Sequence, residues 1–169
     1  MKPRADGSIP PHQPNCFGCG PENAAGLGLN MHVDRSRVRA DLVLDHRHEG
    51  APGFAHGGVV ASALDDLFGG VLVMLGRAAV TANLSVDYRA PALLGHRLRL
   101  TGWCARSDGR KLHLQGELHD AETLVAEARA LFISVDGDHF QRSGATMPEE
   151  WNRWLAPVEA ELPPSKPDI

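Results

Sequence analysis

The sequence predicts an α+β fold: one long helix lying against a curved antiparallel sheet of five to six strands. Three observations carry that expectation. Only residues 57–75 combine helical apolar spacing with real length, the other patterned segments alternate as strands do, and the later strands are joined by connections too short for parallel crossovers. A single helix is then available to cover the sheet, which makes a two-layer arrangement with the helix at its centre.

Residues 1–26 read as an irregular arm, rich in proline and glycine and poor in apolar side chains. Within it, Cys16-Phe17-Gly18-Cys19-Gly20 places two cysteines in a C-x-x-C spacing, with His12 before and His32 after. Zinc would need two more ligands, from those histidines or from Cys104, and a redox pair would need a helix that the loop-like residues after Cys19 do not offer. The plainer reading is two small side chains packed in a glycine-rich loop, and no metal is expected. Three cysteines in all do not make a disulfide framework.

Leu27 to Val33 and Val38 to Leu44 look like strands, joined as a hairpin through Asp34-Arg35-Ser36. His46 to Ala55, with Gly50, Pro52 and Gly53, reads as a loop leading into the helix. Val60, Leu64, Leu67, Val71 and Leu75 then form one apolar stripe, while Gly58, Ser62, Asp65 and Gly69 lie opposite. Gly76 closes the helix. Val80 to Tyr88 alternates, with Ala82, Leu84, Val86 and Tyr88 on one face and Thr81, Asn83, Ser85 and Asp87 on the other. Arg97 to Ala105, Lys111 to Leu118 and Leu124 to Val135 complete the strands, with Asp108-Gly109 turning between the first two. Residues 1–143 are read as one domain, followed over 144–169 by a short helix, Met147 to Leu155, that buries Trp151 and Trp154, and by a flexible tail from Leu162.

The chain of 169 residues is 43% hydrophobic, enough for a substantial core. A net charge of -4 leaves no broad basic surface for nucleic acid. The longest apolar run is interrupted by Asp65 and Asp66, and the first residues lack a signal-peptide core, so a soluble cytoplasmic protein that engages neither nucleic acid nor membrane is expected.

The chemistry concentrates on the helix. By periodicity alone Asp65 and Asp66 belong to a solvated face, yet the stretch has no Lys or Arg between His56 and Gly76 and is otherwise almost wholly apolar or small. Gly57 and Gly58 present bare amides at the positive end of the helix dipole, suited to an anionic oxygen. Eight residues separate Gly57 from Asp65, about 12 Å along the axis, so one carbonyl cannot reach both within one chain. A site that combines them requires two helices side by side and antiparallel across a two-fold axis, giving two equivalent sites per dimer. Thr81 and Asn83, on the polar side of their strand, can hold a water beside the carboxylate.

Gly53-Phe54-Ala55-His56-Gly57-Gly58, Asp65 nine residues after His56, and the strand Thr81-Ala82-Asn83-Leu84-Ser85-Val86-Asp87-Tyr88-Arg89-Ala90-Pro91 together resemble a hotdog-fold acyl-CoA thioesterase of the phenylacetyl-CoA type, in the 4-hydroxybenzoyl-CoA thioesterase superfamily. The resemblance runs from about Cys16 to Val135. It implies a hotdog fold, a homodimer or a dimer of dimers with sites at the helix interface, and hydrolysis of an acyl-CoA to free acid and CoA. It further implies Asp65 as general base or nucleophile, the Gly57 amide as oxyanion donor, Thr81 as positioner of the water or base, and His56 as support for the loop and substrate. Gly58, Asn83 and Arg89 are the expected substrate contacts, Arg89 toward the phosphates of coenzyme A. CoA enters only as part of the substrate, and no separate cofactor is implied. The sequence departs from several relatives at Gly50, where they carry Asn or Gln; Glu49 or Asn83 are the available substitutes. Two other functions fit the same scaffold: an enoyl-CoA hydratase or dehydratase using His56, and a non-catalytic acyl-CoA binding module.

Overall fold

A computed structural model describes residues 1–142, 144 and 151. Its elements in chain order are β1 (Ser8–Ile9), β2 (Asn30–Asp34), β3 (Arg37–Val43), a single 3-10 turn (His46–His48), β4 (Glu49–Ala51), β5 (Phe54–Ala55), α1 (Gly57–Leu75), β6 (Ala79–Tyr88), β7 (Arg97–Asp108), β8 (Lys111–Asp120), β9 (Thr123–Ser134) and α2 (Gly137–Gln141). The main sheet is antiparallel throughout and runs β1-β2-β3-β7-β8-β9-β6.

Helix α1 packs into this sheet by the stripe its spacing dictates. Val60, Leu64, Leu67 and Val71 are buried, and Phe68 and Leu72 join them against Leu98, Leu100, Leu112, Leu114 and Leu118 of β7 and β8. Phe68 meets Phe132 edge to face, with ring centroids 6.1 Å apart. The helix lies close over Gly102 and Gly116, which pair across β7 and β8. A Cβ on Gly102 would lie 2.9 Å from Leu67, and one on Gly116 would lie 3.0 Å from Phe68. Two glycines at the centre of long strands are therefore the space into which the helix settles. By length and mean hydropathy α1 also suits a membrane span, and its burial against seven strands accounts for that apolarity here.

The ends of α1 form as their residues require. His56 is the N-cap, its Nδ1 accepting the Gly58 amide at 2.9 Å. Gly76 takes the left-handed conformation, φ 65°, and its amide returns to the Leu72 and Val73 carbonyls.

Four expectations need correction. The arm is not wholly irregular, because Ser8 and Ile9 pair with His32 and Met31 and add a seventh strand at the sheet edge. The segment 46–55 is not a plain loop. Asp45 and His48 cap a 3-10 turn reciprocally, and β4 and β5 form a small hairpin of their own. A five-residue helix, α2, follows β9, where nothing was expected before residue 144.

The fourth correction concerns β6. Its pairing with β9 slips between Thr81 and Asn83: Thr81 opposes Phe132, Asn83 opposes Leu131, and Ala82 is the extra residue. The alternation reverses there. Thr81 shares the helix-facing side with Leu84, Val86 and Tyr88, whereas Asn83 faces the other way. The short helix and tail expected from residue 147 fall outside the described residues, except for Trp151. That side chain is buried, and its Nε1 donates to the His12 carbonyl at 2.9 Å.

Candidate functional site

Asp65 sits mid-helix on the face that the sheet leaves open, half-buried, with Thr81 brought to it by the bulge in β6. The Thr81 hydroxyl donates to Asp65 Oδ1 at 2.9 Å, so the contact is direct and not through a water. Burial pushes the Asp65 carboxyl above the usual carboxylate range, and the Thr81 hydrogen bond opposes that rise. A cavity of about 540 Å³ opens on this pair, walled on the helix side by Ala61, Ser62 and Asp66, on the strand side by Leu84, and on the third side by His12, Cys16, Phe17 and Gly18 of the arm.

The opening of the helix belongs to a second cavity, of about 360 Å³, lined by Gly57, Val60, Phe54, Tyr88, Arg89, Pro91 and Val125 among others. Asp65 does not line it. Within one chain the two halves of the expected site are therefore separate, as the rise of the helix requires. The amides at this end have different fates: Gly58 donates to His56, while Gly57 donates to no acceptor among the described residues. Gly57 and Gly58 are both exposed.

The remaining expected residues divide. His56 acts on the loop, through its Nδ1 cap and through its own amide, which donates to the His48 carbonyl at 2.8 Å. Arg89 lines the cavity at Gly57, but its guanidinium is paired with Glu127, Nε to Oε1 at 2.9 Å. Asn83 is turned away from Asp65 by the bulge and cannot hold a water there in this chain. Gly50 has a steric reason, since a Cβ at that position would fall 2.7 Å from the His56 Cα. Glu49, one of the two residues available in place of an amide side chain there, has its Oε1 accepting from the Gly53 amide at 2.7 Å.

Two groups were missed. Tyr88, the only tyrosine, donates its hydroxyl to the Gly57 carbonyl at 2.7 Å and so pins the first turn of α1 to β6; its position in an apolar phase hid the polar end of the ring. Asp66, which periodicity places with Asp65 on a solvated face, is the more enclosed of the two. Its Oδ1 meets Cys16 Sγ at 3.3 Å, its Oδ2 is buried with no hydrogen-bond partner, and burial followed by the Cys16 charge pushes it up to about 7. A carboxylate and a C-x-x-C were visible in the sequence; that the fold brings together Cys16 and Asp66, fifty positions apart, was not.

Comparison with known proteins adds three findings. Residues 52–127 match the thioesterase superfamily. Acyl-coenzyme A thioesterase THEM4 of Xenopus laevis is 39% identical over 89 residues, covering 52% of this chain and 40% of that protein, and the Mus musculus THEM4 is 37% identical over 90 residues, covering 52% and 39%. The chain thus spans about two fifths of the length of the curated relatives it matches. Among solved structures, a thioesterase superfamily protein superposes with a TM-score of 0.68 at 33% identity, over 70% of this chain and 60% of that one. The Escherichia coli PaaI protein of the phenylacetic acid degradation operon superposes with a TM-score of 0.62 at 20% identity, over 66% and 82%, and shares the fold. A Streptococcus mutans protein solved with acetyl-CoA bound gives 0.60 at 23% identity, over 63% and 88%.

Proposed function

We propose that this chain, whose residues 52–127 match the thioesterase superfamily and whose sheet and central helix resemble those of a thioesterase superfamily protein, hydrolyses an acyl-CoA thioester at a site completed by a second copy of itself. The observation that carries the reading is the split site. A hydroxyl-supported carboxylate, Asp65 with Thr81, faces one open cavity, and a helix-opening amide, Gly57, with no acceptor among the described residues, faces another. Antiparallel pairing of two α1 helices across a two-fold axis brings Asp65 of one protomer toward Gly57 of its partner. Beside Asp65, Ser62 and Gly69 leave little side-chain bulk on the approaching face, and a Cβ on Gly69 would meet nothing. Edge strand β6 also has one side unpaired along its length, an invitation to pairing between chains.

The chemistry then runs as acyl transfer to water. The Gly57 amide, at the positive end of the helix, holds the thioester oxygen as it gains negative charge. Asp65 takes a proton from water as that water attacks the carbonyl carbon, or attacks directly and leaves an anhydride that water opens. Thr81 fixes the orientation of the Asp65 carboxylate. Collapse of the tetrahedral intermediate breaks the C–S bond and expels CoA as a thiolate, which needs no strong general acid. The products are the free acid and CoA. Because His56 uses its Nδ1 as a helix cap, it suits loop support better than the proton transfer a hydratase requires. Arg89, already paired with Glu127, would exchange that partner for a phosphate of CoA.

A panel of aryl- and alkyl-CoA thioesters, assayed with a thiol-trapping dye on wild type and Asp65→Asn, tests the proposal. Wild type should release thiol, and Asp65→Asn should lose about 10²- to 10⁴-fold in kcat/KM at an unchanged circular dichroism spectrum. Turnover equal in both proteins, or hydration of an enoyl-CoA without thiol release, would overturn it; binding without turnover in wild type would mark a binding module.

A further inference from the structure

We propose that His12, Cys16, Cys19 and Asp66 bind one divalent transition metal ion, zinc by the chemistry of the set, and that this ion fastens the N-terminal arm to α1. The four ligand atoms all lie within 4.8 Å of one another. Cys19 Sγ is 3.0 Å from His12 Nδ1, and Cys16 Sγ is 3.3 Å from Asp66 Oδ1. Four donors at roughly 2.0–2.3 Å from a tetrahedral ion stand about 3.3–3.8 Å apart, so the cluster needs only side-chain adjustments of that order to close on a metal.

Asp66 supplies a second, independent reason. Its Oδ2 is buried with no hydrogen-bond partner among the described residues, and the one cationic side chain that acts on it is His12, itself one of the four donors. A buried acid in that state calls for a cation. The arm is shaped to reach it: a Cβ on Gly18 would fall 2.0 Å from the Asp66 Cγ, so only glycine lets the C-x-x-C turn lie against this carboxylate. The turn closes through the Gly20 amide on the Cys16 carbonyl at 3.0 Å, and a Cβ on Gly20 would lie 2.3 Å from the Cys16 nitrogen. Both sulfurs are thereby held on one side of the chain. His12 is braced from behind, where Trp151 Nε1 donates to its carbonyl and the indole ring lies 6.3 Å from the imidazole.

Two thiolates, an imidazole and a carboxylate are a borderline-soft donor set that suits zinc and disfavours calcium or magnesium, which take oxygen ligands. On binding, whatever protons the four ligands still hold leave to solvent, and the ion's double positive charge is met by two thiolates and one carboxylate. The ion would fix the arm as a wall of the cavity at Asp65, which His12, Cys16 and Gly18 line. None of this draws on the thioesterase reading.

The full-length chain, produced with zinc supplied and purified under reducing conditions, should carry about one zinc per chain by plasma mass spectrometry. Stripped of metal by a chelator and titrated with cobalt(II), it should develop a near-ultraviolet thiolate-to-cobalt charge-transfer band that saturates at one equivalent. The Cys16→Ser/Cys19→Ser double variant should lose both the zinc and the band. Wild-type protein that is folded and reduced but holds no zinc and gives no band would overturn the proposal, as would metal content unchanged in the double variant. Cobalt titration of the stripped wild type decides the matter even if the double variant fails to fold.

Discussion

Thr81 shows how little separates a solvated strand residue from one that meets a half-buried carboxylate. Its hydroxyl reaches Asp65 only because one extra residue, Ala82, reverses the strand's phase just after it. Thr81→Val keeps the shape and removes the donor, and the loss of a hydrogen bond to a charged group, roughly 1.5–3 kcal/mol, should lower kcat/KM for thioester hydrolysis about tenfold or more. Thiol-release kinetics check this, with an unchanged circular dichroism spectrum at the assay temperature showing that the variant is folded. At this scale Asp65 and Thr81 were legible from the sequence: a carboxylate in an apolar helix and a hydroxyl on a nearby strand are visible from spacing. Asn83 was misread because strict alternation assumes no bulge, and Asp66 was undervalued because periodicity along a helix does not know what the N-terminal arm places against it.

At the scale of elements, α1 was the easiest to read and β1 the hardest. The apolar stripe, a capping residue before two glycines and a terminal Gly76 mark the helix over 57–75, and it forms over Gly57–Leu75. Two residues, Ser8 and Ile9, carry no pattern at all, and their pairing to β2 depends on where the rest of the sheet leaves an edge. The short hairpin of β4 and β5 was hidden in the same way, its glycines reading as loop. The cap itself can be tested. His56→Ala removes the acceptor for the Gly58 amide, which should cost about 1 kcal/mol and lower the thermal midpoint by about 2–4 °C in scanning calorimetry. Activity should fall further than stability, because the same turn aims the Gly57 amide.

At the scale of the whole molecule, the division of Asp65 and Gly57 between two cavities makes a prediction that no monomeric enzyme would meet. Gly57→Pro deletes the amide proton at the first helical position, where proline is tolerated, and the extended His56, φ -63° and ψ 134°, already has the conformation proline prefers before it. Alone, Gly57→Pro and Asp65→Asn should each be inactive. Unfolded and refolded together in equal amounts, they should regain about a quarter of wild-type activity, since half of the dimers are mixed and one site in each mixed dimer is intact. Sedimentation of the mixture should show dimers, or dimers of dimers. No recovery in such dimers would place both halves of the site in one chain. That Asp65 and Gly57 stand apart within one chain was legible from helix geometry alone, because a rise of about 1.5 Å per residue is fixed in advance of any fold.

The extra residue in β6 has one more consequence. An uninterrupted strand offers its inner surface to every second position and must choose between oil and chemistry along its whole length. By skipping a beat at Ala82, β6 lets its downstream half, Leu84 and Val86, go on sealing the core while the position three before Leu84 contributes a hydroxyl inward. Were Ala82 to pair as an ordinary strand residue, it would take the inward place itself and turn Thr81 outward with Asn83, withdrawing the hydroxyl from the carboxylate by a shift in phase while both residues remain in the chain.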